Sequence, residues 1–347
     1  MFATYLLSTI FFSYYYFYFL SKKLNIDNFI FNIFFTLKFV FLLFYIYSHF
    51  NNFGTDALSY YTQSHKYNSA LLPISENLIY GINYFFKKIY SIEFESLNII
   101  TFFISFMSSL LLLSLIKDAD RFSKIAICIT LLLPSLNFFT SGLNKDMLIF
   151  FSLSLFLYSL LNKRHYLLIL SVILAFLVRP YVCFAILLSF IICAIFLFLK
   201  KSIIDRQINL KKFILYFLIT IVSLFITYFI LDNLLGSFGK YFLVGNIEGI
   251  LSNLQSHYTD TNLGIPYDTN TFFRLINYAF FPTVWHLVEF NIFYVILIIE
   301  NTFLLFIFIS FIYNFKFSNI DSHYKLIAII TFLILYFILA LVTSNYG

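Results

Sequence analysis

Eight side chains combine residue types and positions that suit chemistry: Asp56, Tyr60, Lys145, Asp146, Arg179, Arg274, His286 and Glu300. Lys145 and Asp146 close the run Ser141-Gly142-Leu143-Asn144-Lys145-Asp146, in which Asn144 or Asp146 can cap a following helix. The partial positive charge at such a helix start, with Lys145 beside it, suits an anion. Arg179-Pro180 repeats the pattern, because proline is preorganised for the first position of a helix and Arg179 stands just before it. Two helix starts, each with one cation, suit a pyrophosphate. The plain alternative for each is a long cationic side chain reaching for a polar interface.

The other five groups divide into two bases, His286 and Asp56, a further cation, Arg274, and two accessories, Tyr60 and Glu300. His286 lies in Phe272–Phe290, a stretch that mixes apolar residues with Arg274, Pro282, Trp285 and Glu289. A neutral imidazole there can take a proton from a sugar hydroxyl, whereas the structural alternative is an interfacial histidine beside Trp285 in an aromatic belt. Asp56 is the second base, and Tyr60 shares its face if a helix starts at Phe53-Gly54-Thr55-Asp56. Its alternative is a cap on an interfacial helix whose tyrosines sit at headgroup level. Glu300 and Lys38 lie mid-way along apolar runs, where each would cost roughly 2.5–3.5 kcal/mol unless paired or hydrated. Their similar depth and opposite sign predict an ion pair, most simply one that sets helix register, or a shared cavity.

The elements that position these groups are membrane helices. Of 347 residues, 61% are hydrophobic and 11% charged, and the mean hydropathy is +0.91. A water-soluble domain carries about a quarter charged residues, so most of this surface does not face water. Apolar runs of span length fall near 2–20, 29–48, 98–116, 125–140, 147–161, 166–178, 181–199, 213–235, 290–313 and 326–343. The first run has no basic residue before it and Lys22-Lys23 after it, which reads as an uncleaved span with its N-terminus outside. The expected fold is therefore all-α: one polytopic integral membrane bundle over 1–347, about ten transmembrane helices, with two long loops near 49–97 and 236–289.

Charge sets the orientation. Lys22, Lys23, Lys117, Arg121, Lys124, Lys163, Arg164 and the basic cluster Lys200 to Lys212 fall in short loops on one side, together with Lys316 and Lys325. The positive-inside rule places these in the cytoplasm and both long loops outside. The net charge of +6 thus reads as topology and not as nucleic-acid binding. In the first long loop, Ile79 to Tyr90 reads as an amphipathic interfacial helix with Lys87 and Lys88 toward headgroups. Nine glycines are few for helix interfaces built on small residues. Cys128, Cys183 and Cys193 lie in apolar runs and read as packed thiols; no Cys/His spacing suits a metal. No nucleotide signature or other cofactor motif appears. Heavy use of Phe, Ile, Asn and Lys with little Gly points to AT-rich coding and a bacterial source, hence the cytoplasmic membrane.

With these residues in place, the chain resembles the bacterial O-antigen and oligosaccharide repeat-unit polymerases, the Wzy and EpsG-like group. The resemblance rests on the span count, Gly54-Thr55-Asp56 with Tyr60, the Ser-Gly-Leu-Asn-Lys-Asp turn, Arg179-Pro180, and the late external loop leading to Glu300-Asn301. Members of that group often continue past a final Asn-x-Gly with a basic stretch, whereas this chain ends at Gly347. The resemblance implies transfer of a glycan from undecaprenyl pyrophosphate onto an incoming lipid-linked repeat unit at the periplasmic face, without a metal. Arg179, Lys145 and Arg274 would stabilise the leaving pyrophosphate, with His286 or Asp56 as base. Partners would be the lipid-linked oligosaccharide, the bilayer, and a chain-length regulator or other assembly proteins. A polyprenyl-phosphate-dependent glycosyltransferase of the GT-C type is the nearest rival, since it would also use an acidic residue such as Asp56. A lipid-linked oligosaccharide flippase or transporter fits less well, as no internal repeat or matched broken spans are seen. The orientation is testable: a cysteine replacing Asn68 should react with an impermeant maleimide in intact cells, and one replacing Asn162 only after permeabilisation; the reverse pattern overturns the assignment.

Overall fold

The computed structural model describes residues 2–50, 56–69, 76–118, 121–205, 299–300, 302, 327 and 329–331. Among the described residues the chain is all-helical, with no strand. The helices are α1 (Phe2–Lys23), α2 (Asn28–Phe50), α3 (Asp56–Thr62), α4 (Glu76–Tyr84), α5 (Phe94–Ser114), α6 (Arg121–Leu132), α7 (Pro134–Phe139), α8 (Lys145–Leu161), α9 (His165–Val178) and α10 (Pro180–Asp205). The chain divides into two compact units, Met1–Cys183 and Phe184–Gly347, with the boundary inside α10. The runs near 213–235, 290–313 and 326–343 and the loop near 236–289 lie wholly or mostly outside the described residues.

Two helical segments, Asn28–Ser48 and Phe94–Lys117, are long and apolar enough to cross a membrane by length and composition. The apolar runs expected from 2 to 199 coincide with helices α1, α2, α5, α6–α7, α8, α9 and α10, with one correction. The run at 125–140 is two helices, broken at Leu133. Pro134 supplies no N–H and forces the residue before it out of helical geometry, so Leu133 takes φ −58° and ψ 123°. The carbonyls released by this break are met by one side chain: Asn137 Nδ2 donates to Leu131 O and Leu133 O, each at 2.8 Å.

Two connections are tight for an identifiable reason. Asn25 and Lys163 both adopt φ 56° just after α1 and α8. The following amides reach back five residues, Ile26 N to Ser21 O at 2.9 Å and Arg164 N to Ser159 O at 2.8 Å. These are Schellman closures, which absorb orphan carbonyls and turn the chain sharply. Asp27 then caps α2 by accepting from Phe29 N at 2.8 Å.

The core of the first unit is aromatic. Phe17, Phe31, Phe35, Phe102 and Phe106 are buried where α1, α2 and α5 meet. Phe106 lies at its centre, with ring centroids of Phe17, Phe35, Phe31 and Phe102 at 4.9, 5.2, 5.8 and 5.9 Å. Such pairs contribute about 0.5–1.5 kcal/mol each beyond area burial, which gives the heavy phenylalanine use a packing role. Close approach of α5, α8 and α9 falls to serine instead of glycine. Ser105, Ser108, Ser109, Ser152, Ser154, Ser159 and Ser171 are all buried. Ser152 Oγ donates across to Ser171 O at 2.8 Å, tying α8 to α9. Outward, α1 shows Phe11, Phe12, Tyr15, Tyr16 and Phe19, and α9 shows Tyr166, Ile169, Leu170 and Ile173.

The expected amphipathic stretch from Ile79 to Tyr90 is helical from Glu76, and its end is a wide π-type turn over Phe85–Ile89. Helices α3 and α4 lie against the start of α8: Tyr61, Ile82 and Phe86 pack on Leu97, Leu143 and Met147. Between α7 and α8 the chain makes a buried turn at Thr140–Asn144, and Gly142 in it abuts Tyr45 of α2. A Cβ at that position would overlap the Tyr45 hydroxyl and ring. Because Tyr45 is itself fully enclosed at 1% exposure, it cannot swing away. Gly142→Ala is expected to destabilise the chain by about 1–3 kcal/mol, read as a lowered Tm of the detergent-solubilised protein; an unchanged Tm would show that Tyr45 can yield.

Candidate functional site

The turn at Thr140–Asn144 is what presents the charged residues. Asn144 is the cap of α8: its Oδ1 accepts from Met147 N at 2.8 Å, and its Nδ2 donates to Phe139 O at 2.7 Å. One side chain thus closes the end of α7 and opens α8, which settles the choice left open between Asn144 and Asp146. Lys145 and Asp146 follow as the first residues of α8, beside its unsatisfied N–H groups. Arg179 ends α9 in extended geometry (φ −144°, ψ 95°), and Pro180 opens α10 as the spacing implied.

Neither cation stands alone. Arg179 Nη2 pairs with Asp146 Oδ1, joining the α9–α10 junction to the first turn of α8. Lys145 Nζ pairs with Glu76 Oε1 at 3.0 Å, joining α8 to the first turn of α4. Lys145 also lies 5.7 Å from the centroid of the Tyr60 ring on α3, and Tyr60 meets Tyr80 of α4 edge to face at 5.5 Å. Two cations and two carboxylates therefore interlock at one helix start, under a tyrosine pair. The quartet is formally neutral, whereas the spacing in sequence suggested a cationic site. Its side chains are partly open: Lys145 is 19% exposed, Arg179 28%, Asp146 39% and Glu76 59%.

The quartet is recessed. Lys38 Nζ donates to Thr140 Oγ1, and Tyr45 lies against Gly142, so the turn is level with residues 38–45 of α2. Tyr45 is five residues short of the end of α2 at Phe50, about 7 Å along the axis. On the opposite side, Thr101 Oγ1 of α5 donates to Ser141 O at 3.4 Å, seven residues into that helix. The short helices agree with this. At 17 and 14 residues, α8 and α9 are about 25 and 21 Å long, below the roughly 30 Å of a bilayer core.

Around the quartet, α3 and α4 are fastened by polar contacts. Tyr61 Oη donates to Ile92 O at 2.8 Å, and Lys87 Nζ lies 4.6 Å from the Tyr61 ring. Burial first, then the nearby Glu95 and Glu93, raises the pKa of Tyr61, and burial with Glu76 raises that of Tyr80. Both phenols stay protonated at neutral pH, and Tyr61 uses its proton in the bond to Ile92 O.

Of the residues predicted from sequence, the structure brings Tyr60, Lys145, Asp146 and Arg179 together. Asp56 opens α3 one turn before Tyr60, as the sequence suggested, although its side chain lies outside the described residues. Arg274 and His286 also lie outside the described residues. Glu300 is buried, 5% exposed, and belongs to the second unit, while the Lys38 side chain expected to pair with it donates to Thr140 in the first. Sequence reasoning missed Glu76 and Tyr80. The available signal was Ser75-Glu76 after Pro73, a carboxylate in the first turn of a helix start. Among the described residues no group of three His, Cys, Asp or Glu is placed to hold a metal ion. Compared with family models, curated proteins and solved structures, the chain gives no match.

Partly exposed ion pairs contribute little stability, typically 0–1 kcal/mol. A double-mutant cycle of Arg179→Ala and Asp146→Ala is expected to give a coupling of about 0–1 kcal/mol in unfolding free energy. A coupling of about 3 kcal/mol or more would instead mark the pair as part of the scaffold.

Proposed function

We propose that the chain is a multi-pass membrane glycosyltransferase that joins undecaprenyl-pyrophosphate-linked oligosaccharide repeat units at the periplasmic face of a bacterial cytoplasmic membrane. The observation that carries this reading is the convergence of Lys145, Asp146 and Arg179 at the capped start of α8, under Tyr60. Outward-facing aromatic and aliphatic residues on α1 and α9 support a lipid setting for these helices.

The chemistry follows from the leaving group. An acceptor sugar hydroxyl attacks the anomeric carbon of the growing chain, and the carbon–oxygen bond to undecaprenyl pyrophosphate breaks. The pyrophosphate departs with the bonding pair, and the hydroxyl proton passes to a base, for which Asp56 and His286 are our assignments. Negative charge builds on the pyrophosphate as the bond lengthens. Arg179, Lys145 and the helix start are aimed where that charge develops, with Arg274 as a further cation in the proposal. Asp146 and Glu76 act as place-holders: each keeps a cation oriented before substrate arrives and competes weakly enough to be displaced by a multiply charged anion. A lipid-borne donor explains why a nucleotide signature is unnecessary.

The start of α3 at Asp56, one turn from the tyrosine that lies on Lys145, also supports a second reading. A polyprenyl-phosphate-dependent transferase of the GT-C type would use that carboxylate as its base and a monophosphate donor carrying one sugar.

Deletion of the gene in its host should abolish the long-chain surface polysaccharide ladder while one repeat unit remains. Complete loss of repeats favours a flippase or an assembly transferase instead. In the complemented strain, Arg179→Ala is expected to cut long-chain product at least tenfold at normal protein level, with Arg179→Lys between it and the parent. An unchanged ladder removes Arg179 from the mechanism.

A further inference from the structure

We infer that Lys38, on a helix that contributes nothing to the charged quartet, is a positioning residue for it. Lys38 is at the centre of the apolar segment Asn28–Ser48 and is 2% exposed. Its Nζ donates to Thr140 Oγ1 and lies 5.7 Å from the Phe150 ring centroid. An amine with three donor sites, enclosed by apolar side chains, is costly to keep, and a leucine or methionine would pack there without that cost. What the amine supplies that those residues do not is a directional bond to the first residue of the turn before α8.

The bond acts at a sensitive place. Thr140 is already tied to the end of α7, its Oγ1 donating to Leu136 O at 2.6 Å. Seven residues along α2 from Lys38, on the same face, Tyr45 abuts Gly142. Lys38 and Tyr45 thus grip both ends of a three-residue stretch, while Thr101 holds Ser141 from α5. Four residues separate Thr140 from Lys145, and all of them are buried in the joint that Asn144 closes. A shift of Thr140 therefore moves the start of α8, and with it Lys145 relative to Glu76 on α4. The link to catalysis rests on the transfer reading above; the link to geometry does not.

A zero-length cross-link reads that geometry without reference to activity. The 3.0 Å contact between Lys145 and Glu76 should let a water-soluble carbodiimide activate the Glu76 carboxylate. The Lys145 amine then attacks it to form an amide, quantified by mass spectrometry on native membranes. Lys38→Met and Thr140→Val are each expected to lower the yield at least fivefold, and the double variant no further than the worse single, because both break the Lys38–Thr140 bond and Thr140→Val additionally loses the bond to Leu136 O. A thiol introduced by Ser171→Cys, buried in α9 away from the turn, reports folding and should stay unreactive to N-ethylmaleimide throughout. Retained yield in Lys38→Met, multiplicative loss in the double variant, or exposure of that thiol alongside the lost cross-link each overturns the inference. If the cross-link is lost as expected but gene deletion leaves the polysaccharide ladder intact, Lys38 keeps its role and the transfer reading falls.

Discussion

A turn of polypeptide buried among apolar helices has few ways to satisfy its own amides and carbonyls, and the Thr140–Asn144 turn is where the first unit meets that constraint. Three helices contribute to the solution. Lys38 bonds the turn from α2 and Thr101 from α5, Tyr45 packs against Gly142, and Asn137, Thr140 and Asn144 bond carbonyls at the ends of α6 and α7. Each bond replaces one that water would make at the surface of a soluble protein. Because the turn is held inside the bundle, α8 can begin below the ends of its neighbours, and the partial charges at its start lie beside the partly exposed charged quartet.

The packing around the turn divides labour by residue type. Phenylalanines fill the volume between α1, α2 and α5, where ring-on-ring contact supplies attraction that apolar surroundings would not drive by themselves. Serines line the closer contacts of α5, α8 and α9, with most hydroxyls bonded within their own helix and Ser152 bonded across. A chain with nine glycines can still bring helices close, since serine is small and most of these hydroxyls bond a carbonyl one turn back.

The charged quartet behaves differently from a row of bare cations. Lys145 and Arg179 are each oriented by a carboxylate on another element, so the resting site is ordered and neutral. Neutrality suits a position beside apolar helices, where an unpaired charge would carry a desolvation cost. In the proposed reaction, an anionic leaving group would exchange one set of partners for another instead of entering a site primed by excess charge.

Residue order alone determined the helical class, the apolar runs up to 199, and helix starts at Asn144 or Asp146 and at Pro180, because these depend on neighbours within a few positions; the break of the 125–140 run at Leu133 came from the structure. It also singled out Lys145, Asp146 and Arg179, whose types at helix ends speak for themselves. The partners were another matter. Glu76 lies 69 residues from Lys145, Asp146 is 33 from Arg179, and Thr140 is 102 from Lys38. The hydroxyl that meets Lys38 belongs to a turn after a helix break at Pro134, and nothing near Lys38 in the sequence points to it. Which donor meets which acceptor is decided by how helices pack, and packing sums many weak contacts that no local stretch of sequence contains.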